Sequence, residues 1–219
     1  HVRRCYFTGS RRTPVYIGRH DGGLKVTDFR FEGNVIDGRK IDAGVGYGIQ
    51  LKLNVTGSFI RNNWIEQARG PGIMVYGATD DDPKLGNVVD GNVVVGSRTD
   101  AAILVGAGPA RVHGNLALGS PPGGIRVYDY NNWDMLRNID VWNNTAADNG
   151  RYDFSFTGRL RNVRALRNIA LVGAGSEGIR GVAEARAGNL AVPASAALLA
   201  KIDALVQSRL EPARLAAAV

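Results

Sequence analysis

The chain has 219 residues, 44% hydrophobic and 21% charged, the proportions of a folded domain large enough to bury a single sizeable core. Its 27 Lys and Arg against 20 Asp and Glu leave a net charge of +7. That charge suits a polyanionic partner, but the arginines are dispersed and no zinc-finger spacing or basic run interleaved with aromatics occurs, which sets nucleic acid aside. The lone Cys5 excludes an internal disulfide framework, no apolar run approaches the roughly 20 residues of a membrane span, and HVRRCYF lacks the charged and apolar regions of a signal peptide.

From the first residues onward one pattern recurs. VRRCYF, FEGNVI, IRNNWI, VDGNVVV, VHGNLAL, VWNNTAA, ALRNIAL and ARAGNLAV each set Asn, or Cys5 in the first case, before a small or aliphatic pair. The asparagines are Asn34, Asn63, Asn92, Asn115, Asn144, Asn168 and Asn189, at steps of 29, 29, 23, 29, 24 and 21, and Cys5 stands 29 residues before Asn34. A second series, VYI, GIQL, GIMV, AILV, GIRV, DFSF and GIR, alternates with the first, about ten residues after each ladder position, as from Asn63 to Ile73. Two phase-locked series predict two strands per turn of a solenoid. Leucine-rich repeats have a similar period, but their fixed leucine spacing is absent. The pattern is that of a parallel β-helix in which buried asparagines stack at a corner, hydrogen-bond one another and take up left-handed backbone geometry.

Three strands of the second series run directly into long insertions, GRHDGG (18–23), GATDDDPKLG (77–86) and DYNNWDML (129–136). From Pro193 the pattern changes: Leu198, Leu199, Ile202, Leu205, Val206 and Leu210 recur at helical spacing. The domain reading is therefore coils over residues 1–192 and an amphipathic helix over 193–219 that caps the solenoid. No cap is visible before the first coil, so the chain is expected to be a fragment, a processed product or one half of a larger β-helix, or else to have that coil covered by another chain.

With these repeats the sequence resembles the right-handed parallel β-helix superfamily of pectate lyases, polysaccharide lyases, mannuronan epimerases and related repeat proteins. The fold expected is an all-β solenoid, a right-handed single-stranded parallel β-helix with a C-terminal α-helix. The resemblance implies a carbohydrate-active protein acting on an acidic polysaccharide, most simply a β-eliminating lyase, secreted or periplasmic. A non-catalytic polysaccharide-binding or structural β-helix is the alternative, since one coil hosts many activities.

Alternation along the second series points Tyr16, Gln50, Lys52, Met74, Tyr76, Leu104, Arg126 and Tyr128 outward. Flanked by the insertions, Gln50, Lys52, Tyr76, Arg126 and Tyr128 are expected to floor a groove for an anionic sugar chain. β-Elimination needs a base, a group that neutralises the uronate carboxylate and a proton donor. Lys52 is the candidate base, Arg126 or a bound calcium the neutraliser, and Tyr76 or Tyr128 the donor. His20 is a further candidate base, and Tyr16, Gln50, Asp129 and Trp133 are candidate sugar contacts. Asp80, Asp81 and Asp82 are candidate calcium ligands. The position of Lys52 resembles that of the catalytic lysine in the chondroitinase B and alginate lyase family. In GYGIQLK, however, the acidic calcium ligands of that motif are missing, and Met74 and Tyr76 occupy the next coil where its arginine is expected.

Overall fold

The computed structural model describes residues 1–39, 46–77, 82–130, 132, 134–181, 185–202, 204–205 and 208. Each coil carries three main strands, one more than the repeat predicts, and two coils add a short fourth, Val26–Thr27 and Val55–Thr56, which pair with each other. The asparagine-centred motif holds two strands, because its central pair bends the chain: in RFEGNVID, Arg30–Glu32 and Val35–Asp37 flank Gly33 and Asn34.

Three long parallel sheets result, besides that two-stranded pair. Sheet I stacks Val2–Arg3, Arg30–Glu32, Phe59–Arg61, Asn87–Asp90, Ala110–His113, Arg137–Trp142, Arg161–Leu166 and Ala185–Ala187. Sheet II stacks Tyr6–Thr8, Val35–Asp37, Trp64–Glu66, Val93–Val95, Leu116–Leu118, Thr145–Ala147, Ile169–Val172 and Leu190–Pro193. Sheet III stacks Val15–Ile17, Ile49–Leu51, Ile73–Val75, Ile103–Val105, Ile125–Tyr128, Phe154–Thr157 and Ile179–Gly181. Register is constant, with Trp64 opposite Val35 on one side and Val93 on the other.

The corner from sheet I to sheet II is two residues in every coil, and its second residue is the ladder residue. The first residue of the pair is the left-handed one: Arg4, Gly33, Asn62, Gly91, Gly114, Asn143, Arg167 and Gly188 have φ of 51–64°. The ladder asparagines themselves keep ordinary negative φ, which corrects the expectation. The bend is made one residue earlier, so the ladder side chain is free to point inward. Each rung then accepts and donates. Asn63 N–H donates to Asn92 Oδ1 (3.0 Å), Asn63 Nδ2 to the same oxygen (2.9 Å), and Asn92 Nδ2 to the Ile60 carbonyl (2.9 Å). The chain of bonds runs from Cys5 N–H, which donates to Asn34 Oδ1, to Asn189. It satisfies backbone groups that a sharp buried corner would otherwise strand.

Inside the coil, sheet I contributes Phe31, Ile60, Val89, Val112, Val141 and Ala165, sheet II contributes Ile36, Ile65, Val94, Ala117, Ala146 and Ala170, and sheet III supplies two residues per strand. As sheet II shrinks from Ile65 to Ala146, sheet III grows from Ile73 and Val75 to Phe154 and Phe156, which keeps the interior filled.

After Pro193 the chain is helical from residue 196. Leu199 and Ile202 pack against a cluster on the outer face of sheet II that includes Val35, Trp64, Val95, Leu118 and Ala147. These described turns lie along the side of the coil rather than across its end. The reason is that sheet II presents an apolar outer column, which an amphipathic helix can cover. Leu198 and Leu205 face solvent, and Val206 and Leu210 lie outside the described residues.

Candidate functional site

Sheet III does bring the expected residues onto one outer face. Its register aligns Tyr16, Gln50, Met74, Leu104, Arg126, Ser155 and Arg180 in one column. Lys52, Tyr76, Tyr128 and Thr157 stand two residues further along their strands, in the parallel column.

The face is not the open groove floor expected from alternation. Gln50 is 6% exposed, Lys52 8%, Tyr76 4% and Met74 1%, whereas Tyr16 at the edge is 47% exposed. A small apolar cluster of Met74, Tyr76 and Leu104, with Tyr47 against it, has formed outside the coil. Tyr47 hydrogen-bonds Tyr130, and burial first, then that neighbour, pushes the Tyr47 hydroxyl well above the ordinary tyrosine value. Tyr130 in turn meets Tyr76 and Tyr128 edge to face, at 6.3 Å and 6.5 Å between centroids. Alternation identifies which side chains leave the coil; it does not reveal that rings from the flanking turns, Tyr47 and Tyr130, then cover them. Their only trace in the sequence is that six of the seven tyrosines, all but Tyr6, lie in or beside the second series of strands.

Lys52 is held in this tyrosine shell. Its Nζ lies 4.2 Å from the centroid of the Tyr76 ring and 5.6 Å from that of Tyr16. Among the described residues no carboxylate pairs with it, and burial lowers its pKa from the ordinary lysine value. Cation–π contact offsets part of the desolvation of a buried ammonium, at about 1–2 kcal/mol against several.

Arg126 has a different setting. Its guanidinium lies 3.8 Å over the Tyr128 ring, and its Nη1 lies 3.3 Å from Asp100 Oδ1. Its Nε is buried without a hydrogen-bond partner. Three strand steps separate Arg126 from Lys52, which at strand spacing is about 14 Å. Base and neutraliser, expected on one sugar, therefore stand too far apart to share it.

The remaining candidates scatter. His20 is exposed in its loop, where Arg19 pairs with Asp21 at 2.8 Å and the Gly22 carbonyl accepts from Asn54 Nδ2 at 2.6 Å. Asp129 Oδ2 accepts the Asp134 N–H at 2.8 Å, which closes its own loop. Asp82 Oδ1 accepts from Lys84 N–H at 2.9 Å, capping the short helical turn Pro83–Leu85. Asp80, Asp81 and Trp133 lie outside the described residues. Calcium needs several converging oxygen ligands; among the described residues no group of three or more His, Cys, Asp or Glu converges, and two of the three expected calcium ligands lie outside those residues.

Sequence reasoning passes over two other arrangements. On sheet II, Asp37 and Glu66 are neighbours across the register and both buried, with Arg39 Nε 3.1 Å from Asp37 and 3.5 Å from Glu66. Burial alone would raise the Asp37 carboxyl, but hydrogen bonds from Tyr6 and Arg39 outweigh it and hold the group below its usual range. Burial and then this carboxylate push Tyr6 up to about 12. On sheet I, Arg61, Asp90, His113 and Trp142 succeed one another across four strands, each in register with the next. The signal is the alternation of FIR, VVD, RVH and DVW, hidden because these strands merge into the asparagine motif.

No described helix is long and apolar enough to cross a membrane. Compared with curated proteins and with solved structures, the chain matches none. A family model described as "Right handed beta helix region" matches residues 1–146. With three stacked parallel sheets and a continuous asparagine ladder beneath that match, the chain belongs to the right-handed β-helix family.

Proposed function

We propose that this β-helix binds an acidic polysaccharide along the outer face of sheet III, in an extracytoplasmic setting. The observation that carries the reading is Lys52, a nearly buried ammonium that meets tyrosine rings and no carboxylate among the described residues. A cation so placed is under-compensated, and an incoming carboxylate or sulfate would supply what the fold withholds. Arg126, with its unpartnered Nε, would meet a second charge of the same chain about 14 Å away. Tyr16 and Tyr130 offer ring surface at the solvent boundary, 47% and 43% exposed. Affinity electrophoresis against alginate, pectate, chondroitin sulfate and hyaluronan tests this. Retardation by at least one of them, weakened in Lys52→Ala and by added salt, is expected; no retardation by any at low salt overturns the reading.

A second reading, a β-eliminating lyase, is favoured by the adjacency of Lys52 and Tyr76. The lowered pKa of Lys52 raises its neutral fraction, which would take the proton α to a uronate carboxylate. As the carbon–carbon double bond forms, the bond to the glycosidic oxygen breaks and the Tyr76 hydroxyl protonates that oxygen. Arg126 is too distant to neutralise the same carboxylate, and Lys52, uncharged when it acts as the base, cannot do so either. Appearance of the unsaturated-uronate absorbance with any of the four polymers would establish elimination. Its absence with all four, alongside retained binding, leaves a binding protein.

A further inference from the structure

Sheet I ends its outward column of FIR, VVD, RVH and DVW strands on an aromatic stack. His113 lies on one face of the Trp142 indole, with ring centroids 4.3 Å apart and planes 20° apart. Asp90 Oδ1, 3.0 Å from His113 Nδ1, fixes the imidazole, and Arg61 Nε stands 3.4 Å from the other Asp90 oxygen. The next strand, Arg161–Leu166, lies across Trp142 from His113 and places Leu166 in register with the indole. Leucine does not continue the stack. On that side a cavity of about 220 Å³ opens, lined by Trp142, Leu166, Asp140, Arg164 and Arg167.

The polar groups around it have a defined chemistry. Arg164 grips Asp140 through two bonds of 2.6 Å, Nε to Oδ1 and Nη2 to Oδ2. The carboxylate keeps free lone pairs that can accept hydroxyl protons. Among the described residues nothing pairs with the Arg167 guanidinium. The backbone of Arg167 is in left-handed geometry (φ 52°) at the asparagine corner, which starts its side chain at the border of the cavity.

We infer that the cavity lined by Trp142 is a binding site for a single acidic pyranose, a uronic acid residue. Its C–H face packs on the part of the indole that borders the cavity beside Leu166, its hydroxyls donate to Asp140, and its carboxylate takes the guanidinium fork of Arg167, unpartnered among the described residues. A volume of about 220 Å³ is enough for one sugar ring. The site is on a different sheet from Lys52 and does not depend on the reading of sheet III.

Saturation-transfer NMR on D-glucuronate with the full chain tests the assignment. Saturation of the ring protons in the millimolar range is expected, lost in Trp142→Ala and weakened about tenfold in Arg167→Gln, as for one charge-assisted contact. Methyl glucoside, which lacks the carboxylate, is expected to bind about tenfold more weakly than glucuronate. Absence of transfer to glucuronate in the unaltered protein overturns the site. So does displacement of glucuronate by equimolar benzoate, which would indicate a slot for aromatic acids, or by equimolar inorganic sulfate, which would indicate simple anion binding at Arg167. A signal that survives Arg167→Gln and Trp142→Ala but is lost in Lys52→Ala would place the sugar on sheet III and equally overturn the assignment.

Discussion

Lys52 Nζ sits 4.2 Å from the centre of the Tyr76 ring, on a side chain only 8% exposed. Removing this charge should stabilise the fold. Burying an ammonium costs several kcal/mol, which the cation–π contact offsets only in part, so Lys52→Met is expected to melt higher while losing affinity for the polyanion. The pH dependence has a fixed sign. A lysine whose pKa is lowered by folding binds fewer protons folded than unfolded, so its penalty shrinks as pH rises toward the ordinary lysine value. Thermal melts at rising alkaline pH should narrow the gap between Lys52→Met and the parent; a gap that widens would contradict this.

The asparagine ladder predicts a position-dependent cost. Asn92→Ala leaves Asn63 N–H, Asn63 Nδ2 and the Ile60 carbonyl without their bonds of 3.0, 2.9 and 2.9 Å, all in buried surroundings. At about 1–3 kcal/mol for each stranded group, the loss should exceed ~3 kcal/mol. Asn189, half-buried at the last rung, should cost distinctly less when changed to Ala. Urea denaturation of the two variants checks this, and equal losses would mean that the rungs do not act as a stack.

Asp153 provides a titrating group inside the coil. Burial raises its carboxyl to about 6 despite the 2.8 Å bond from Asn149 Nδ2, and its Oδ2 has no partner. A carboxyl with a raised folded pKa stabilises fully below its unfolded value of about 4, and the contribution is lost as pH rises through 6. Between pH 4 and pH 7 that amounts to about 3 kcal/mol. The midpoint difference between Asp153→Asn and the parent should therefore grow in favour of the variant over this range. The difference is the quantity to follow, because Asp37 has a lowered pKa and contributes the opposite slope in both proteins.

Leu199 anchors the described helical turns to sheet II. Leu199→Asp is expected to detach them while the coils stay folded, since cooperative units of unequal stability open separately. Limited proteolysis should then release the segment after Pro193 far faster than in the parent, with the coil fragment intact. Global unfolding of Leu199→Asp would contradict the separation.

Most of the fold is readable because a solenoid repeats its physics. Asn34 to Asn189 are spaced by the coil length, and the inward alternation of GIQL, GIMV and GIRV marks one sheet directly. The third strand escapes because a corner of only two residues leaves no loop between Glu32 and Val35 to mark it. The site is half legible. Outward direction follows from a period of two, which finds Lys52 and Arg126, but their separation depends on how many coils intervene. Their burial depends on where Tyr47 and Tyr130 fold back, and that is decided by packing between segments far apart in sequence.

The constancy of that two-residue corner has a consequence for how such a chain can change. Coil length varies from 21 to 29 between successive ladder positions, and none of the variation falls between sheets I and II. An added residue there would break the chain of amide bonds above and below it. Additions at the two borders of sheet III leave every rung in place. One edge of the coil is thus closed to insertion and the other two accept it, so new loops, and new specificities, can accumulate around the outer face that carries Lys52 without disturbing the frame.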